Sequence, residues 1–151
     1  MGLFDTSDEE PKSKIRRYVI SAIAFVVLVA LGFWYLLRFY PEKRAAETFL
    51  SAVVAGDMDR AYKLWNPPAT SSYTMKDFLD DWGPTGYYGP VKSYQIETAS
   101  NPPKGGSGVI VIVDVSPVQP FPADNDAVNN ARSKVVRLWV ERSDKSLSFA
   151  P

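Results

Sequence analysis

The chain has 151 residues, seventeen acidic and seventeen basic side chains, and neither cysteine nor histidine. Without cysteine there is no disulfide or thiolate chemistry, and without histidine the commonest acid–base group near neutral pH and the commonest metal ligand are missing. The balanced charge leaves no electrostatic footprint for nucleic acid.

Residues 1–14 are polar, with Asp5, Asp8, Glu9 and Glu10 followed by Lys12 and Lys14. So little apolar surface does not offset the entropy of ordering, which predicts a disordered cytoplasmic tail. Tyr18 to Leu37, YVISAIAFVVLVALGFWYLL, then runs without a charge or a proline. At about 1.5 Å per residue it reaches roughly 30 Å, the thickness of a bilayer's hydrocarbon core. In lipid, a single segment satisfies its backbone polar groups only as a helix. This predicts one transmembrane helix within residues 15–40, with the lipid bilayer as its partner. Tyr18 at one end and Phe33, Trp34, Tyr35, Phe39 and Tyr40 at the other read as interfacial aromatic belts.

Lys12, Lys14, Arg16 and Arg17 precede the span, and Arg38, Lys43 and Arg44 follow it. The excess of basic residues on the near side predicts a single-pass cell-membrane protein with a cytoplasmic N-terminus and an extracytoplasmic C-terminal domain. A cleaved signal peptide would carry an apolar region of about 7–15 residues ending in small side chains. This region is longer and ends in FWYLLRFY, so retention is expected.

Residues 41–151 have the length of one small domain. Pro41 stops the span or opens the next helix at its first turn. Ala46, Phe49, Leu50, Val53 and Val54 then recur at helical spacing. Gly56 suits a left-handed end to that helix, and Asp57 an N-cap for a second helix carrying Met58, Ala61, Tyr62 and Trp65 on its apolar face. Asn66-Pro67-Pro68 ends it. Thr74 with Asp77 resembles a capping box ahead of a third short helix bearing Met75, Phe78, Leu79 and Trp82. Gly83-Pro84 closes that helix, and Thr85 to Pro90 reads as a turn-rich loop with exposed Tyr87 and Tyr88.

From Val91 the hydrophobic period changes to two. Lys92 to Thr98 alternates, and Val109 to Val115 places valine at every odd position. Lys134 to Arg142 and Leu147 to Phe149 complete a meander, after an irregular loop at residues 117–130. Helices first and antiparallel strands afterwards predict an α+β domain with helices packed on one face of a curved sheet.

The segment AETFLSAVVAGDMDRAYKLWNP resembles the opening helices of nuclear transport factor two-like (cystatin-like cone) domains. There, an apolar helix ends at Gly-Asp and a helix with an Ala-Tyr pair follows. Here those residues are Gly56-Asp57 and Ala61-Tyr62. VKSYQIETA, GVIVIVDV and VVRLWVER fit that family's curved sheet. The resemblance implies a conical pocket, frequent dimerisation through the sheet, and functions ranging from enzymes to membrane-anchored assembly subunits. The layout of tail, single span and cone domain is similar to that of periplasmic assembly subunits of type IV secretion systems.

Tyr62, Trp65, Phe78, Trp82 and Tyr94 are the candidates to line a ligand pocket, or else the domain's core. Asp114 is the strand carboxylate that an enzyme would use as a general base in the cone. Alternation instead puts it on the sheet's second face with Arg137, where the two are expected to pair. Ile110, Ile112, Val135, Arg137 and Trp139 form the candidate interface on that face. Asp77, Asp80 and Asp81 suggest a cation site only weakly, because neighbouring helical positions point apart. No phosphate loop, nucleophile constellation or zinc spacing is present. The expectation is therefore a membrane-anchored, non-catalytic domain, without cofactor or metal. It would work through protein or small-ligand contacts, in envelope or secretion assembly.

Overall fold

The computed structural model describes residues 10–151, and the chain divides into two units after Arg38. The first unit contains α1, Glu10–Leu37, a single helix of 28 residues. It is long and apolar enough to cross a membrane, and its side chains from Lys12 to Leu37 are exposed. The helix begins inside the stretch expected to be disordered; the rest of that stretch, residues 1–9, lies outside the described residues.

The second unit is α+β. Three helices come first: α2 at Tyr40–Val54, α3 at Met58–Trp65 and α4 at Met75–Trp82. Pro41 sits in the first turn of α2, where its missing N–H costs nothing. Gly56 takes φ of +75° between α2 and α3. Asp57 caps α3 by accepting from the Arg60 N–H at 3.1 Å. Asn66, with φ of 48°, ends α3 in the left-handed region ahead of Pro67. At α4 the capping box is complete: Thr74 Oγ1 accepts from the Asp77 N–H at 3.3 Å, and Asp77 Oδ2 accepts from the Thr74 N–H at 2.7 Å.

The strands β1 (Ser93–Ser100), β2 (Gly108–Ser116), β3 (Lys134–Glu141) and β4 (Leu147–Phe149) form one curved antiparallel sheet in sequential order. A short α5, Ala127–Asn130, interrupts the loop between β2 and β3, and Asp126 caps it. β1 runs two residues beyond the alternating stretch, because the register shifts between Ile96 and Thr98 and leaves Glu97 as a bulge.

One face of this sheet holds the core. Val109, Val111, Val113 and Val115 of β2 and Val136, Leu138 and Val140 of β3 are at most 1 % exposed. Ala46, Phe49, Leu50 and Val53 of α2 join the same buried cluster, with Ala61, Trp65, Phe78 and Trp82 from α3 and α4. The helical and strand periods read from the chain thus meet on one surface.

Candidate functional site

The space where a conical pocket was sought is filled by rings. Phe49 meets Trp65 at 5.2 Å, Phe78 at 6.1 Å and Trp82 at 5.1 Å between ring centroids. Phe149 of β4 closes on Trp65 at 5.0 Å and lies parallel to Trp82 at 6.1 Å. Three of the five pocket candidates, Trp65, Phe78 and Trp82, are therefore packed core residues. Tyr62 and Tyr94 are partly buried at its margin, where the Tyr62 hydroxyl donates to the Tyr73 carbonyl and the Tyr94 hydroxyl pairs with Ser51 Oγ at 3.0 Å. The sequence pattern locates these aromatics on inward faces. It does not reveal that Phe49 and Phe149 occupy the volume between them.

Tyr88 departs from expectation. It is partly buried and stacks on Trp82 at 5.0 Å, while Tyr87 remains 65 % exposed. The reason is local: the loop folds back over the C-terminus of α4, with the Tyr87 and Tyr88 N–H groups donating to the Asp80 and Asp81 carbonyls at 2.9 and 2.8 Å. These bonds satisfy the free carbonyls of the last helical turn.

Two of the three acidic residues of α4, Asp77 and Asp81, are also occupied. Asp77 belongs to the cap, and its hydrogen bonds from Thr74 hold its carboxyl below the ordinary value. Asp81 accepts from the Tyr73 hydroxyl at 2.6 Å. Burial first, then the bond to Asp81 and its charge, pushes the Tyr73 phenol well above its ordinary value. Among the described residues no three Asp, Glu, His or Cys side chains converge on a metal position.

The second face of the sheet is different. The register sets Asp114 opposite Val135, Ile112 opposite Arg137, and Ile110 opposite Trp139. Asp114 and Arg137 share this face as expected, but the expected ion pair between them is absent. They are diagonal neighbours across the ladder rather than directly opposed. Asp114 Oδ1 is buried with no hydrogen-bond partner, and Arg137 is exposed and has no ion pair among the described residues. An unsatisfied buried oxygen of this kind costs about 1–3 kcal/mol or more, so it calls for an explanation.

The interface candidates are not equally accessible. Val135 is 64 % exposed and Ile112 partly buried, but Ile110 is only 4 % exposed. The connection between β1 and β2 accounts for this. Pro102 and Pro103 line a groove of about 270 Å³ together with Ile110, Arg137, Trp139 and Pro151. Trp139 lies close against Gly106 and Gly108, where a Cβ would come within 2.7 and 2.3 Å of the indole. Its Nε1 donates to Glu141 Oε2 at 3.5 Å, and the Ser107 hydroxyl donates to the same oxygen at 2.7 Å. The Ser107 bond holds the Glu141 carboxyl below its ordinary value. Trp139 is thus part of a built platform, and the glycine pair at Gly106 and Gly108 was the sequence signal for it.

This face carries an apolar strip, an exposed cation and a carboxylate whose buried Oδ1 has no hydrogen-bond partner among the described residues. No family model matches the chain, and comparison with curated proteins and with solved structures found no match either.

Proposed function

We propose that this chain is a single-pass membrane protein whose domain, of the nuclear transport factor two-like kind, is non-catalytic and works through protein contacts made by the second face of its sheet. Its first partner on this reading is another copy of the same chain, as in an envelope or secretion assembly. The observation that carries it is the pairing left open on this face: among the described residues Arg137 is exposed without an ion pair, and the partly buried Asp114 on the same face has an Oδ1 without a hydrogen-bond partner. In a two-fold interface, a residue i that contacts residue j of the other copy is matched by j contacting i. Asp114 of one copy would meet Arg137 of the other, twice, over a strip made by Ile112 and Val135. The membrane helix favours the encounter by holding copies in one plane and raising their effective concentration.

The symmetry supplies the test. The full chain in mild detergent should sediment as a dimer. Asp114→Lys and Arg137→Glu, each alone, place like charges at both contacts and should give folded monomers. Mixed together, the two variants restore both oppositely charged pairs and should dimerise. A monomeric wild type, or a mixture that stays monomeric, rules out this interface.

The same reading places the domain outside the membrane, supported by the clustering of Lys12, Lys14, Arg16 and Arg17 before the span. Protease added to sealed cells should then digest residues 41–151. Protection until lysis would reverse the orientation.

A further inference from the structure

A second groove, of about 620 Å³, lies between the first half of α2, the end of α3 and the turn joining β3 to β4. We infer that it binds the headgroup region of an anionic phospholipid from the leaflet in which the chain is anchored. This rests on the reading of α1 as a membrane span.

Its walls are amphipathic. Tyr40, Pro41, Ala45, Leu64 and Leu147 supply apolar surface. Arg44, Lys63 and Lys145 bring three cationic groups to the groove; Asp144 is the carboxylate in its lining, while Glu42 and Glu47 outside the lining pair with Lys145 and Arg44, which leaves Lys63 as the cation without an ion pair among the described residues. Asp144 is already engaged, since its Oδ1 accepts from the N–H and the hydroxyl of Ser146 at 2.9 and 2.7 Å. A small soluble anion would leave the apolar wall unused. A phospholipid matches both parts, a phosphate for the cations and a glycerol–acyl region for the rest. The volume lies within the range of roughly 300–1,000 Å³ usual for small-molecule sites.

Lys145 is positioned in advance. Its backbone is left-handed, with φ of 59°, and its Nζ donates to Glu42 Oε1 at 3.0 Å and to the Arg142 carbonyl at 2.7 Å. Glu42 is only 4 % exposed, so this anchor is fixed. An ammonium has three protons to donate, and one is left after these two bonds. Among the described residues Arg44 makes one ion pair, an exposed one with Glu47 at 3.5 Å. Such a pair is worth little, and its guanidinium can exchange it for a bidentate contact with phosphate.

Chain length supplies the source of the ligand. Tyr40 is three residues beyond Leu37, the last residue of α1. Three residues reach at most about 11 Å, and each headgroup layer is roughly 5–8 Å deep. Part of the groove's wall is therefore tethered within reach of the lipid headgroups. Tyr40, 57 % exposed, is also the residue type that settles at such interfaces.

The test uses the full chain reconstituted in phosphatidylcholine vesicles doped with a photoreactive lipid, with cross-linked peptides mapped by mass spectrometry. A phosphatidylglycerol probe reactive near its headgroup should label residues 40–48, 63–66 and 144–147 in preference to the equivalent phosphatidylcholine probe. Arg44→Gln with Lys63→Gln should reduce that labelling by about thirtyfold, from roughly 1 kcal/mol for each of the two basic residues near an anionic surface. Labelling of α1 by an acyl-chain probe should stay unchanged in the same samples. Groove labelling that ignores headgroup charge or the double substitution overturns the lipid site while leaving the anchor intact. A chain that neither floats with the vesicles nor labels in α1 overturns the anchoring and the site together. Should either glutamine substitution alter the circular dichroism spectrum, competition of the wild-type label by unlabelled phosphatidylglycerol decides instead, and failure to compete overturns the site.

Discussion

The two faces of β2 follow opposite rules within nine residues. The odd positions Val109, Val111, Val113 and Val115 are sealed under helices, each at most 1 % exposed. The even positions carry Ile110 beneath a proline-rich connection, Ile112 partly buried, and Asp114 with a buried oxygen that no group satisfies. The core face is packed with valines and aromatic rings, and its unmet polar atom is the Trp82 Nε1, buried without a hydrogen-bond partner among the described residues. On the other face Asp114 Oδ1 is buried without a partner and Arg137 is exposed without an ion pair among the described residues. Each unsatisfied buried group calls for an explanation, but only the second face sets one beside an exposed charge of opposite sign.

The largest expected effect breaks the core side. Phe49 touches Trp65, Phe78 and Trp82 at once. Phe49→Ala should cost about 3–5 kcal/mol, as deletions of buried aromatics do. On the other face Val135→Thr, at an exposed strand position, should stay within about 0.5 kcal/mol. Chemical denaturation of the two variants beside wild type measures both. Equal losses would mean that the second face is also core.

A smaller effect sharpens the contrast on the second face itself. A Cβ at Gly108 would lie 2.3 Å from the Trp139 indole. Gly108→Ala should displace the ring, cost about 1–3 kcal/mol as overpacking does, and shift tryptophan emission to longer wavelength. An unchanged spectrum would mean that Trp139 is free of the platform and available as an interface anchor by itself.

Much of the helical half was legible because its signals are local. Gly56 between two apolar runs, Asp57 ahead of the second, and Thr74 three residues before Asp77 each act within one turn of chain. All three take the predicted roles. The long apolar helix was legible for a similar reason: twenty uncharged residues are long enough to cross a bilayer whatever the rest of the chain does. Alternation in β2 and β3 likewise assigned each valine to a face without knowledge of its neighbours.

What stayed hidden depends on distance in the chain. Asp114 and Arg137 were rightly placed on one face, but whether they pair is decided by strand register, and register sets Arg137 opposite Ile112. The aromatics of α3 and α4 were recognisable as inward-facing. Only the arrival of Phe149 from β4 and of Tyr88 from the folded-back loop determines that they pack into one ring cluster. The link between Glu42 and Lys145 joins residues 103 positions apart. The sequence by itself determined the long apolar helix, the caps and the order of helices and strands, because each rests on periodicity or on chemistry within a few residues. The tertiary structure alone decided which rings fill the space between helices and sheet, that Asp114 Oδ1 is buried without a partner among the described residues, and where the grooves described above open. Those outcomes depend on how distant segments share one volume, and packing sets that only when the whole chain has closed.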